Sequence, residues 1–211
     1  MALGLLLALV LAGWALGELS RSVLTMSDLD AVRDVASERS SQLTAIAHVL
    51  SAFGSGYVVA PLAVVVAVLL FARGRRTAAL AIAVSTLGAA AISTSDKLLV
   101  GRPRPPVEHL EAVSTASFPS GHTTTAAAFY LALLIAWVAL RSRRRTVLLP
   151  AATAACLLII GVAVSRVYLG VHYPSDVVAG LLLGSVWSLL VGALMWPSMR
   201  ASDTRNERAT P

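Results

Sequence analysis

The chain has 211 residues, 57% of them hydrophobic and 13% charged, with a formal net charge of +6. A soluble globular domain carries roughly 25% charged residues, so this composition excludes a water-dissolved fold before anything else. A single cysteine, Cys156, rules out an intrachain disulfide and a cysteine metal cluster, and reads as a small packing residue.

Six charge-free stretches follow in order, at residues 2–17, 56–72, 77–95, 123–140, 146–165 and 177–199. Each is near the roughly 20 residues that cross a hydrocarbon core, where only helices satisfy the backbone without water. The fold expected is all-α, a six-transmembrane-helix bundle. The first stretch lacks the basic start of a secretory signal and is read as a retained helix. Residues 27–53 mix Asp28, Asp30, Arg33, Asp34, Glu38 and Arg39 with spaced apolar side chains, which predicts a short extracytoplasmic helical segment lying on the membrane surface, Ser27 capping its first helix. Residues 1–200 form one membrane-embedded domain, and the polar tail 201–211 is expected to be disordered.

Arginines set the orientation. Arg73, Arg75 and Arg76 follow the second stretch, Arg141, Arg143, Arg144 and Arg145 the fourth, and Arg200, Arg205 and Arg208 the sixth. Six crossings put all of them on one side, and the positive-inside rule makes that side cytoplasmic, together with both termini. Those ten basic residues face two acids, Asp203 and Glu207, for +8, while the other side holds seven basic and nine acidic residues, for −2. The basic balance therefore records topology in a cell membrane, and nucleic acid is not an expected partner.

The inner turns are short and uniformly basic, so chemistry belongs on the outer side. Three groups collect there: Lys97 with Arg104 and Pro105, then Pro119-Ser120-Gly121-His122, then Ser165-Arg166 with His172 and Asp176. A phosphate ester passes through a state with charge spread over three oxygens, which calls for fixed cations around it. Lys97, Arg104 and Arg166 supply them, and Ser120 and Gly121 add a hydroxyl and an amide at a helix start, where free donors favour an anion. The chain uses arginine 16 times and lysine once, at Lys97, so a compact ammonium is wanted at that position. Asp176, four residues after His172, can hold one ring nitrogen protonated while the other faces phosphorus. Arg102 and Asp96 receive no chemistry, the first read as a solvated neighbour. His48 and His109 read as ordinary hydrogen-bonded histidines.

These spacings, Lys-x6-Arg-Pro, Pro-Ser-Gly-His and Ser-Arg-x5-His-x3-Asp, resemble those of the type 2 phosphatidic acid phosphatases, which share a core with vanadium-dependent haloperoxidases and glucose-6-phosphatase-like enzymes. The resemblance implies a lipid phosphatase, a hydrolase of phosphoric esters or anhydrides, with His172 as nucleophile, a phosphohistidine intermediate and His122 as general acid. No cofactor and no metal are expected. The motifs contribute one carboxylate, already paired to histidine, and no nucleotide-binding glycine loop is present. The expected partners are the bilayer and a membrane lipid phosphate. Best among the candidates is a polyprenyl pyrophosphate of envelope synthesis, ahead of phosphatidylglycerol phosphate and phosphatidic acid. A transporter binding an anion would be expected to carry charge along its crossings, and the later five carry none; a silent scaffold would not need the intact His122, His172 and Asp176.

Overall fold

The computed structural model describes residues 2–141 and 145–207, and all regular structure among them is helical. Arg143, Arg144 and Arg208 lie outside the described residues. The helices are α1 (Ala2–Val23), α2 (Thr25–Ser37), α3 (Ser41–Ala52), α4 (Gly56–Ala72), α5 (Arg76–Val100), α6 (Gly121–Arg141), α7 (Arg145–Tyr168) and α8 (Pro174–Glu207). Six helical spans are long and apolar enough to cross a membrane, and α3 and α4 together make one of them, Ser41–Ala72.

Every expected crossing is present, and the differences lie at the ends. α5 runs past residue 95 to Val100, so Asp96 and Lys97 sit within its final turns rather than in a loop; Gly101, with φ of 59°, closes it in the left-handed conformation. That φ is open to glycine at no steric cost, and the Gly101 amide still reaches the Lys97 carbonyl. α8 continues to Glu207, into the stretch expected to be unstructured. Ser27 is not a cap: it lies inside α2 and its hydroxyl donates to the Leu24 carbonyl. Ser40 does that work for α3, accepting from the Leu43 amide at 3.3 Å.

The bundle is built around α6, which packs against α8 along much of its length and also against α5 and α7. Small residues make this possible, because lipid tails are as apolar as leucine and only close approach rewards helix association. Ala126, Ala127 and Ala128 are fully buried on α6, and a Cβ on Gly184 of α8 would fall 2.3 Å from the Thr124 carbonyl oxygen. Large apolar side chains such as Leu87, Leu157 and Val164 point outward instead. Cys156 points outward as well, so it is not the packing residue its surroundings suggest.

α2 and α3 cap one end of the bundle. α3 rests on α7 through Ala47 and Ser51, while Leu43 and Ile46 are exposed along its other side. Asp28 of α2, read from sequence as a surface charge, is 5% exposed. Its ion pair with Arg102 is why a carboxylate is tolerated inside.

Candidate active site

The end capped by α2 and α3 also receives the last turns of α5, the 101–120 loop, the start of α6 and the α7–α8 turn. Lys97 reaches from α5 into the 101–120 loop, its Nζ donating to the Ala116 carbonyl at 2.5 Å. Arg104 spans the same loop and the α7–α8 turn: its Nε donates to the Thr115 carbonyl at 2.8 Å and one terminal nitrogen to the Val171 carbonyl at 2.5 Å. That terminal nitrogen also lies 3.4 Å from His172 Nε2. Burial, then the charge of Arg166, lower the Arg104 guanidinium to about 10, which leaves it a cation at neutral pH.

His172 sits on the α7–α8 turn, 2% exposed. Its Nδ1 is 3.5 Å from Asp176 Oδ2, so the spacing expected to orient the ring does bring carboxylate and imidazole together. Pro174 opens α8, where its missing N–H costs nothing, and places Asp176 in the first turn. Asp176 Oδ2 also accepts from the Tyr173 amide at 3.0 Å and from the Ser117 hydroxyl. With Nδ1 turned to this acceptor, Nε2 is the nitrogen left facing Arg104. Burial lowers His172 from its ordinary value to about 3 against the pull of Asp176, so the ring is neutral and its lone pair is available at physiological pH.

His122 opens α6 at the same end. The charges that act on it are Arg166, Glu111, Lys97 and Arg104; those that act on His172 are Asp176, Arg104 and Lys97. The charges of Lys97 and Arg104 therefore reach both imidazoles. Gly121 lies against α5, where a Cβ would meet Ser93 Oγ at 3.2 Å and Lys97 Cε at 3.8 Å. Ser120 is fully buried, and its hydroxyl bonds Thr123 Oγ1 at 2.9 Å; its amide donates to the Asp176 carbonyl at 3.0 Å. Its visible bonds therefore tie the start of α6 to the start of α8.

Arg166, 1% exposed, donates from one terminal nitrogen to Glu111 Oε2 at 2.6 Å and to the Ser51 hydroxyl. Burial works against ionisation of Glu111, and the hydrogen bond and charge of Arg166 outweigh it, so the carboxyl stays below its usual range. Sequence reasoning missed Glu111. The available signal was an acid eleven residues before His122, in the loop that also carries Arg102 and Arg104. Ser51 and Ser117 gave no signal at all, since a serine becomes a partner only through tertiary placement.

Arg102 corrects the sequence reading outright. It is 2% exposed rather than solvated, and it bridges Asp176 Oδ1 at 2.7 Å and Asp28 Oδ2 at 2.8 Å. Asp96 turns the other way, fully buried against Gly13 of α1, and neither of its oxygens meets a hydrogen-bond partner among the described residues. His109 is exposed and bonds the Pro105 carbonyl at 2.9 Å, and His48 is exposed on α3.

Cations gathered around two imidazoles at the rim of an apolar bundle suit a phosphate carried on a membrane lipid. The sequence pattern of the PAP2 superfamily matches residues 77–200, which contain all three motifs. The chain belongs to that superfamily: it is an integral membrane protein and a lipid phosphatase. It is 32% identical over 184 residues to a lipid A 1-phosphatase of Rhizobium etli, spanning 74% of this chain and 72% of that one. An undecaprenyl-diphosphatase of Sulfolobus acidocaldarius is 33% identical over 150 residues, 67% of this chain and 65% of the relative. Among solved structures, a transmembrane PAP2 type phosphatidylglycerolphosphate phosphatase from Bacillus subtilis superposes with a TM-score of 0.80 at 25% identity, covering 90% of this chain and 94% of that one.

Proposed function

We propose that the protein is a metal-independent phosphatase of lipid phosphates and pyrophosphates that works through a phosphohistidine at the extracytoplasmic membrane face, with a polyprenyl pyrophosphate as its substrate. The observation that carries the mechanism is the pairing of His172 Nδ1 with Asp176, which leaves Nε2 beside Arg104. In the first step Nε2 attacks phosphorus and the bond to the leaving oxygen breaks, while protonated His122 gives that oxygen its proton. In the second step water attacks the phosphohistidine, His122 takes the water's proton, and phosphate leaves with His172 restored. Lys97, Arg104 and Arg166 offset the oxyanion charge in both steps. Their present bonds run to loop carbonyls, to Glu111 and to Ser51, partners that an arriving phosphate can replace.

Metal independence is supported by the carboxylates themselves. Asp28 and Asp176 are held by Arg102 and Glu111 by Arg166, which leaves none of the three as a ready ligand for a divalent ion. Orientation is supported by the arginine-rich turn Arg73–Arg76, at the end of the bundle opposite the histidines. Substrate choice rests on the undecaprenyl-diphosphatase relative. The strong superposition on the phosphatidylglycerolphosphate phosphatase favours a glycerolipid as the second reading. Initial rates on polyprenyl pyrophosphate, phosphatidylglycerol phosphate and phosphatidic acid in matched micelles with excess EDTA test both points. A preference for either glycerolipid overturns the substrate, and dependence on added magnesium overturns the mechanism.

A further inference from the structure

We propose that Arg102 and Asp28 are positioning residues for the reaction: together they fix the carboxylate of Asp176 so that its second oxygen, and through it His172, is aligned for attack. This inference rests on the reading of His172 as nucleophile. Arg102 is the unassigned arginine between Lys97 and Arg104 of the first motif, and Asp28 lies on α2, outside the 77–200 stretch that the superfamily pattern matches.

The geometry divides Asp176 between two tasks. Oδ1 accepts from Arg102 at 2.7 Å, and Oδ2 faces His172 Nδ1 while accepting from Tyr173 and Ser117. A carboxylate held on one oxygen alone can rotate; pinned on both, it cannot. Arg102 is itself held on every side. Its other terminal nitrogen donates to Asp28 Oδ2 at 2.8 Å, and its Cζ lies 4.1 Å from the centre of the Tyr173 ring. Ser175, next to Asp176, receives a bond from Arg102 at 2.7 Å and returns its amide to Asp28 Oδ1 at 3.1 Å. A guanidinium fork suits this bridging, which an ammonium would make with poorer geometry.

Charge gives Asp28 its part. One buried cation bonded to a single carboxylate would draw down the negative charge that Asp176 offers the imidazole. Sharing the guanidinium with Asp28 leaves the three groups at a net charge of −1, which the cationic ring neutralises as the phosphohistidine forms. Partners that orient a ligating histidine or carboxylate at metal sites contribute about 10- to 100-fold, and a comparable effect is expected for a carboxylate that orients a nucleophile.

The test uses the full chain in detergent, with phosphate release from a polyprenyl pyrophosphate and from phosphatidic acid, and folding checked by size exclusion and thermal melting. Arg102→Leu is expected to lower kcat about 10- to 100-fold with KM within about twofold of the parent, and Arg102→Lys to regain part of the loss. Asp28→Asn, which keeps shape and leaves Asp176 for Arg102, is expected to lower kcat about 3- to 10-fold with KM unchanged. A folded Arg102→Leu enzyme with parental kcat, a loss confined to KM, or a lysine variant no better than leucine overturns the inference. Should Arg102→Leu fail to fold, Asp28→Asn decides on the same kcat and KM criteria. His172→Asn is measured alongside: turnover surviving in it sinks the nucleophile reading, whereas its silence beside unaffected Arg102 and Asp28 variants sinks only the positioning role.

Discussion

The two ends of the bundle use arginine in opposite ways. At the end facing α2 and α3, Arg102 and Arg166 are almost wholly inside, each bonded to a carboxylate, and Arg104 threads between two loops. At the other end Arg73 and Arg75 rim a cleft of about 530 Å³ walled by Val66, Leu70, Leu133 and Trp137. The first arrangement pins carboxylates, one of them beside an imidazole; the second sits among apolar side chains. A buried guanidinium is tolerated only where carboxylates and carbonyls meet it, and the site end supplies Asp28, Glu111 and Asp176 for that purpose.

Substitutions at the two ends are expected to differ by orders of magnitude in their effect on phosphate release. His172→Asn is expected to lower phosphate release at least about 10⁴-fold while the protein stays folded, since the proposed nucleophile has no substitute. His122→Ala is expected to cost about 10²- to 10⁴-fold on a lipid monophosphate and markedly less on an aryl phosphate, whose leaving group does not need the proton. Equal losses on both would remove His122 from the acid role. Between the ends, Gly184→Val should destabilise the bundle by about 1 to 3 kcal/mol, read as a lower melting temperature, because the new Cβ meets the Thr124 carbonyl.

Acid should expose the site end selectively. His172 titrates near 6.5 when unfolded and, held down by burial, near 3 when folded. Between those values the unfolded chain binds the extra proton, so this contribution is fully present above about 6.5 and is lost as pH falls toward 3. From pH 7 to 5 the wild type is expected to lose about 2 kcal/mol more than His172→Asn, measurable by melting both proteins at the two values. Smallest of all, Arg73→Gln at the opposite end should change kcat by less than about twofold; a larger effect would blur the distinction between the ends.

The hydrophobic patterning located all six crossings because a bilayer demands continuous apolar helices, a constraint written residue by residue. Helix ends were less legible: α5 carries Asp96 and Lys97 in its last turns because packing against α1 and α6 extends it beyond the apolar run. In the site, His172 and Asp176 were readable since four residues of local chain fix their approach. Arg104 and Lys97 were readable as charges but not as neighbours of particular carbonyls. Arg102 and Asp28 were misread, because 74 residues separate them and burial of either makes sense only with the other present.

Composition and local spacing by themselves determined that the chain is a helical membrane protein and which side chains could handle a phosphate, for these follow from the solvent around each segment and from a few residues of backbone. Which arginine meets a carboxylate, which serine becomes an acceptor, and which way each acid turns were decided only when α2, the 101–120 loop and the α7–α8 turn closed on one another. Those contacts join residues far apart in sequence, and a charge is stable in such a place only in the company that the completed fold provides.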